Sequence, residues 1–487
     1  MRKILASCLL AATLATVPAV SVAAGEPASS PVTLSSMGDA AMGPLMDALF
    51  ADYHARHANV GKGLWSHTGA TASPDGLANY VADIAPIVGK RNEMMYRVRF
   101  QRNGVTAPFI VQVGSIVRDS APVPLQLAAN GGTGRPLDPK VADFLGYVVS
   151  PEGQAIVAKL GATPLTSTEV EQARAALAAN PYVQSEAPPY RAKGQVAGPI
   201  SSVGSIQMVE WIDRALLRFQ ALHPGVVRGP HWRHPGSSAA ISGLLADVSD
   251  IAPLGREVSR KEKEAYRARF GVEGPTEIRI AHGARKSEIR TNAVAIYVNA
   301  ANPIASLSVA QLDAIYSAVP HAGASAPIRT WGDAGLKGEW RDRPIAPLLY
   351  GDSGAPGSIQ RENFRNDRWA DTVRTLDMKE VSATVSADPA AIGFGAFDDP
   401  TPGIRVLPLS FTGKGPASSG SWDDVMRQRY PLTRHVYILV RRNLSPQTRE
   451  FLRFLLSREG QEIAVLEGYA PLTRAEAEAG LAQVDAL

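Results

Sequence analysis

Cysteine is almost missing from this chain: there is one in 487 residues. It is Cys8, inside an N-terminal stretch that reads as a removable leader, so the remainder predicts no disulfide, no thiol nucleophile and no thiolate metal site. Beyond that stretch no apolar run approaches the ~20 residues of a membrane span, which argues against an integral membrane protein. A strong charge of either sign is lacking too. The formal net charge is +4, half of it from Arg2 and Lys3, and so weak a bias does not imply nucleic acid. With 45% hydrophobic and 20% charged residues, the composition excludes disorder, and the length suffices for two or three packed domains.

What is present begins with an export pattern. Arg2-Lys3 form a positive start, an apolar Ala-rich stretch runs to about Val20, and Val22-Ala23-Ala24 offers small residues for cleavage. This predicts a signal peptide over 1–24 and a soluble periplasmic or secreted product beginning near Gly25. Leu5-Ala6-Ser7-Cys8 superficially resembles a lipoprotein box, but the hydrophobic run follows it instead of preceding it, so no lipid anchor is expected.

The chain also repeats itself. Residues 150–166 match 457–473 at an offset of 307, sharing Glu-Gly-Gln and Pro-Leu-Thr. Upstream the match continues at smaller offsets. Ser35-Ser36-Met37-Gly38 parallels Ser201-Ser202-Val203-Gly204, Asp83-Ile84-Ala85-Pro86 parallels Asp250-Ile251-Ala252-Pro253, and Tyr96 to Phe100 parallels Tyr266 to Phe270 at an offset of 170. The jump predicts that the second copy carries a domain-sized insertion of about 137 residues that the first lacks. Helical spacing over 208–222, a short β-rich run at 293–298 and helices opened by Ser308 and Ser445 give an α/β fold class. The expected organisation is a single-lobe domain over 30–180, a Pro/Ala/Gly-rich linker over 181–198, and a two-lobed domain over 199–487. Within the latter, one lobe is expected from about 199–298 and 405–487 and the other from about 299–404, with hinge crossings near 299–304 and 394–405.

Several stretches of the second copy, in order, carry a resemblance. They are Val298-Asn299 through Asn302-Pro303 with 307–312, then 328–347 including Trp331-Gly332-Asp333, 387–394, Tyr430-Pro431-Leu432-Thr433-Arg434, and 454–461. Together they resemble the phosphate-binding subunits of ABC importers, within the type II periplasmic binding proteins. The resemblance implies two α/β lobes joined by hinge strands, a small inorganic anion, phosphate first, held in the cleft between them, an ABC permease as partner, no cofactor and no catalysis. Such a cleft suits a dehydrated oxyanion, because helix N-termini offer unpaired N–H groups and hydroxyls add donors. The implied ligand-binding residues are Ser205, Gln207, Ser237 and Ser238 on the first lobe and Ser353, Ser358 and Gln360 on the second. The family's Arg before the second-lobe turn is replaced here by Leu349-Tyr350-Gly351, so Arg256 or Arg361 is expected to restore the charge.

Three other readings compete. Taken singly, these serines are ordinary helix caps. Gly351-Asp352-Ser353-Gly354 resembles a trypsin-like nucleophile motif with His282 upstream, but the flanks alternate helix and strand and leave no room for a double β-barrel. His223, His231 and His234 stand close in sequence without a carboxylate or cysteine, so no metal site is expected. The first copy lacks a second lobe and puts Asp39 in the turn Met37-Gly38-Asp39-Ala40, where it would repel an anion. That copy is expected to scaffold or dock a partner, which leaves open the alternative that the whole protein is an envelope interaction module without a transport role.

Overall fold

The computed structural model describes residues 32–487 apart from 70–72, 103–106, 133, 286–291, 352–353, 367, 398 and 400. The leader, Cys8 and Ser353 lie outside the described residues. None of the described helices is long and apolar enough to cross a membrane.

Three mixed sheets, each packed with helices, organise the chain. The first contains β1 (Val32–Met37), β2 (Val60–Ser66), β3 (Ile84–Val88), β4 (Phe109–Arg118) and β5 (Ala121–Ala129), in the order β2-β1-β3-β5-β4. Pairing is parallel from β2 through β1 to β3 and antiparallel from β3 through β5 to β4. Only Asp119 and Ser120 join β4 to β5, and both adopt positive φ (52° and 61°). A two-residue turn with both residues left-handed matches the twist of a tight hairpin.

The next strands are β6 (Ala197–Val203), β7 (Gly225–Arg233), β8 (Ala252–Leu254) and β9 (Thr276–His282), completed much later by β17 (His435–Val440). Parallel β7-β6 pairing, a parallel bridge between Ser202 and Ile251, and antiparallel β8-β17-β9 pairing give the order β7-β6-β8-β17-β9. This is the pattern of the first sheet strand for strand. The local devices match as well. The Asp83 carboxylate accepts from Ser35 N–H (2.8 Å) as Asp250 does from Ser201 (2.7 Å), and Ser36 Oγ meets His67 Nε2 as Ser202 Oγ meets His234 Nε2, both at 2.9 Å. Gln154 donates to Val148 O and accepts from Leu165 N–H, and Gln461 does the same with Leu455 and Leu472. Where the first copy has its hairpin, the second holds residues 283–434.

That insertion forms the third sheet, from β10 (Ala295–Asn299), β12 (Ala346–Tyr350), β13 (Arg374–Leu376), β14 (Ala391–Gly395) and β15 (Ile404–Val406), in the order β13-β12-β14-β10-β15. The pairs β11 (Leu307–Ser308) and β16 (Leu409–Ser410) lie beside it. β10 is hydrogen-bonded to both β14 and β15, so the stretches 299–304 and 394–405 are turns and strands inside this lobe and not crossings. The described residues 283–285, 292–294 and 431–434 stand where the chain passes between lobes. There the two passes run side by side, Gly283 N–H donating to Arg434 O (2.6 Å) and Val294 N–H to Leu432 O (3.0 Å). Among the described residues of the hinge, Ala293, Val294 and Leu432 are buried and apolar.

Each lobe has its own core. Trp211, Phe219, Ile278, Ile438 and Phe451 fill the lobe built on β6–β9 and β17, Trp331, Tyr316, Leu348 and Phe394 fill the inserted lobe, and Phe50, Tyr53, Leu127 and Phe144 fill the first copy. Residues 181–196 form no helix or strand, yet they are strapped down and not free. Tyr190 Oη donates to Glu450 (2.7 Å) and meets His223 Nε2 (2.7 Å), while Ala187 is fully buried.

Candidate functional site

Parallel strands with a crossover aim their C-terminal ends at one edge of a sheet, and the loops there carry ligand sites. At the edge of β7-β6-β8 the chain makes two adjoining turns. Gly204 accepts from Gly236 N–H (3.1 Å) and donates to Arg233 O, while Ser205 N–H donates to Pro253 O (2.8 Å). The approach is so close that a Cβ on Gly204 would meet Pro253 O at 2.3 Å, which is why glycine stands there. Ser205 is fully buried and its hydroxyl accepts from Gln207 N–H (3.3 Å), so it caps the turn leading into the helix Val209–Leu222. Gln207 is half-buried and its carbonyl accepts from Tyr469 Oη (2.6 Å). Ser237 opens the helix Ser238–Leu245 with no side-chain cap bond, half-buried, and Ser238 is exposed. Four first-lobe candidates are therefore gathered at one strand-end edge.

On the inserted lobe, β12 ends at Tyr350-Gly351, and the helix Ala355–Glu362 starts after Gly354 at φ 67°. Ser358 (1% exposed) and Gln360 (5%) lie buried in that helix, and their Oγ and Nε2 find no hydrogen-bond partner among the described residues. An unsatisfied buried polar atom costs about 1–3 kcal/mol, so these two groups have unspent capacity for a ligand or water.

The two arginines expected to supply charge are committed elsewhere. Arg256 makes a two-pronged bridge to Glu262 (2.8 and 2.7 Å), and Arg361 grips Glu257 (3.1 and 2.6 Å). Arg256 meets both oxygens of its carboxylate in fork geometry, and Arg361 puts two N–H donors on a single oxygen, Glu257 Oε2. The Glu257–Arg361 pair instead ties the end of the first lobe to the helix of the second. Beside it, burial and the neighbouring Glu362 push the Glu257 carboxyl up to about 7.

The cation that lies between the lobes is Arg434, at the hinge. It is 8% exposed, its guanidinium donates a long hydrogen bond (3.5 Å) to Gly255 O just beyond β8, and its Nε has no partner among the described residues. Burial lowers its pKa, offset by nearby Tyr350 at the end of β12. One guanidinium thus adjoins the strand ends of both lobes. The sequence carried it in Pro431-Leu432-Thr433-Arg434, but Tyr350 and Gly255, which it adjoins, lie 84 and 179 positions earlier, and only the hinge brings them together.

The histidines near β7 do not converge. His223 meets Tyr190, His234 meets Ser202 with burial pushing its pKa down to about 4, and His231 stands apart, half-buried. His282 faces Thr433 and Glu476, in a lobe that is no double β-barrel. In the first copy, Asp39 occupies the place of Ser205: its N–H donates to Pro86 O and its carboxylate accepts from Ala41 N–H (3.0 Å).

Comparison with known proteins places this geometry in context. A family model described as a PBP superfamily domain matches residues 189–459. The Pseudomonas aeruginosa protein called phosphate-binding protein PstS is 28% identical over 305 residues, 61% of this chain and 90% of that protein. Streptococcus agalactiae PstS 2, also called a phosphate-binding protein, is 30% identical over 122 residues, 25% of this chain and 40% of its own. A solved structure from Vibrio cholerae, described as an ABC-type phosphate transport receptor, matches at 24% identity and a TM-score of 0.36, covering 56% of this chain and 100% of that one.

Proposed function

The chain belongs to the PBP superfamily, and on that premise we propose that its two-lobed second copy captures a small oxyanion, phosphate first, and presents it to an ABC permease after export. The observation that carries this reading is the placement of Arg434, a buried guanidinium whose Nε has no partner among the described residues, between Gly255 just beyond β8 and Tyr350 at the end of β12. An oxyanion there would meet a charge that needs a partner, donor-rich turns from one side, and Ser358 and Gln360 from the other. Ser353 completes the proposed set. Nothing in the arrangement calls for a nucleophile or a cofactor, so binding and release are the proposed activity. The named relatives, both called phosphate-binding, favour phosphate over sulfate or molybdate.

We also infer that the first copy arose by duplication of the lobe built on β6–β9 and β17, with the inserted lobe replaced by the Asp119-Ser120 hairpin. With Asp39 in the binding turn and no facing lobe, it serves as a scaffold on the second copy. Isothermal titration of residues 25–487 with phosphate, sulfate and molybdate tests the assignment. One phosphate per chain, tighter than the other two, is expected; no heat with any of the three would return the protein to a pure interaction role.

A further inference from the structure

Beside the hinge, on the lobe built on β9 and β17, three ligating side chains meet that the proposed binding function does not use. His282 Nε2 lies 3.1 Å from both oxygens of Glu476, and His435 Nε2 lies 3.3 Å from Glu476 Oε1. All three donor atoms fall within 4.8 Å of one another. A tetrahedral ion with bonds of about 2.0–2.1 Å separates its ligands by about 3.3 Å, so this spacing suits a single small cation. The outer nitrogens are fixed as well: His435 Nδ1 meets Glu362 Oε2 at 2.8 Å and His282 Nδ1 meets Thr433 Oγ1 at 3.2 Å. Glu476 Oε2 is held by the capping box that Thr473 makes at the start of the helix Arg474–Asp485. Metal-bound histidines characteristically have their second nitrogen anchored to an oxygen in this way. Glu476 and Glu362 also line a cavity of about 700 Å³, with Arg279 and Tyr437.

We propose that His282, His435 and Glu476 form a site for one Zn²⁺-class divalent ion, with Glu362 and Thr433 orienting the two imidazoles and water completing the coordination. His282 and His435 are register partners across β9 and β17, at the points where the chain leaves this lobe and returns to it. The ion clasps the two hinge strands, and through Glu362 its anchoring shell reaches the inserted lobe. The first copy has no such site, because the corresponding strand ends carry Arg118 and Ala121. Binding displaces the Nε2 protons. Each ligating Nε2 must be free of its proton, which passes to solvent, while the remaining Nδ1–H of His435 donates to Glu362 Oε2 and that of His282 to Thr433 Oγ1. No bond to carbon changes and no oxidant is needed.

The test uses residues 25–487 without an affinity tag, stripped with chelator. Titration with Zn²⁺ against a competing indicator and with Co²⁺ by visible absorption is expected to show one ion per chain and the spectrum of tetrahedral cobalt. His435→Gln should lower the Zn²⁺ affinity at least 100-fold, and Glu362→Ala, outside the coordination sphere, roughly 10–100-fold. If His435→Gln does not fold, Glu476→Gln replaces it. No tetrahedral cobalt spectrum in the unaltered chain would overturn the proposal, as would unchanged Zn²⁺ affinity in a folded ligand variant. Phosphate titration of the zinc-free protein is independent, so failure here leaves the anion site standing.

Discussion

At the scale of single residues, the binding cleft turns on one buried charge. Removing the Arg434 guanidinium takes away a buried cation that adjoins the strand ends of both lobes and makes no ion pair among the described residues. A charge-assisted hydrogen bond contributes about 1.5–3 kcal/mol, so Arg434→Ala is expected to weaken phosphate binding tenfold or more, measured by titration. Arg361→Ala, whose head group is spent on Glu257, should change it far less. Equal losses in the two variants would show that the charge acts from elsewhere. Ser205 and Ser237 were legible in the sequence as helix starts, because a Ser before an apolar-periodic stretch marks one. Arg434 was not, because no local pattern separates a hinge arginine from a surface one, and Arg256 and Arg361 stood nearer the motifs.

At the scale of elements, the repeat made most of the fold readable. Matched Asp and Gln residues make matched hydrogen bonds in both copies, and the self-alignment predicted an insertion in the second, though its expected bounds of 299–404 fall short of the 283–434 that the sheets give. The hinge escaped because Ala293, Val294 and Leu432, its buried apolar residues, carry no turn signal. The strap over 181–196 was equally hidden: its composition reads as a spacer, yet Tyr190 fills a place against Phe219 and Phe454 with its hydroxyl between Glu450 and His223. Tyr190→Phe keeps the ring and deletes the hydroxyl, leaving His223 without that bond. A loss of about 1.5–3 kcal/mol is expected for a bond to a charged group, read from the midpoint of urea unfolding. An unchanged midpoint would mean that the strap is dispensable and the two copies are joined by a simple tether.

At the scale of the whole molecule, the two copies are held together by a buried charge cluster. Arg135 of the first copy, 1% exposed, reaches Glu467 (3.1 Å) and Glu210 (3.4 Å) of the second, where Arg214 also bonds Glu467 (3.2 Å) and Tyr80 Oη donates to it (3.3 Å). The backbones close in beside it, since a Cβ on Gly468 would meet Gly134 O at 2.3 Å. Breaking one side of a buried ion pair costs about 3–5 kcal/mol because the remaining charges stay desolvated. The wild-type chain is therefore expected to unfold with its first copy and the adjoining lobe as one cooperative unit. In Arg135→Ala the first copy should unfold separately at lower temperature, splitting the calorimetric transition. Glu210 lies in the first turn of the helix that follows the Ser205–Gln207 turn, so the same variant removes a positive charge beside the helix that leads out of the proposed anion site. Phosphate affinity should fall in that variant even though Arg135 touches none of the proposed ligands. A single transition at the wild-type temperature would show that the copies are coupled by packing alone. A split transition with unchanged affinity would confine Arg135 to docking.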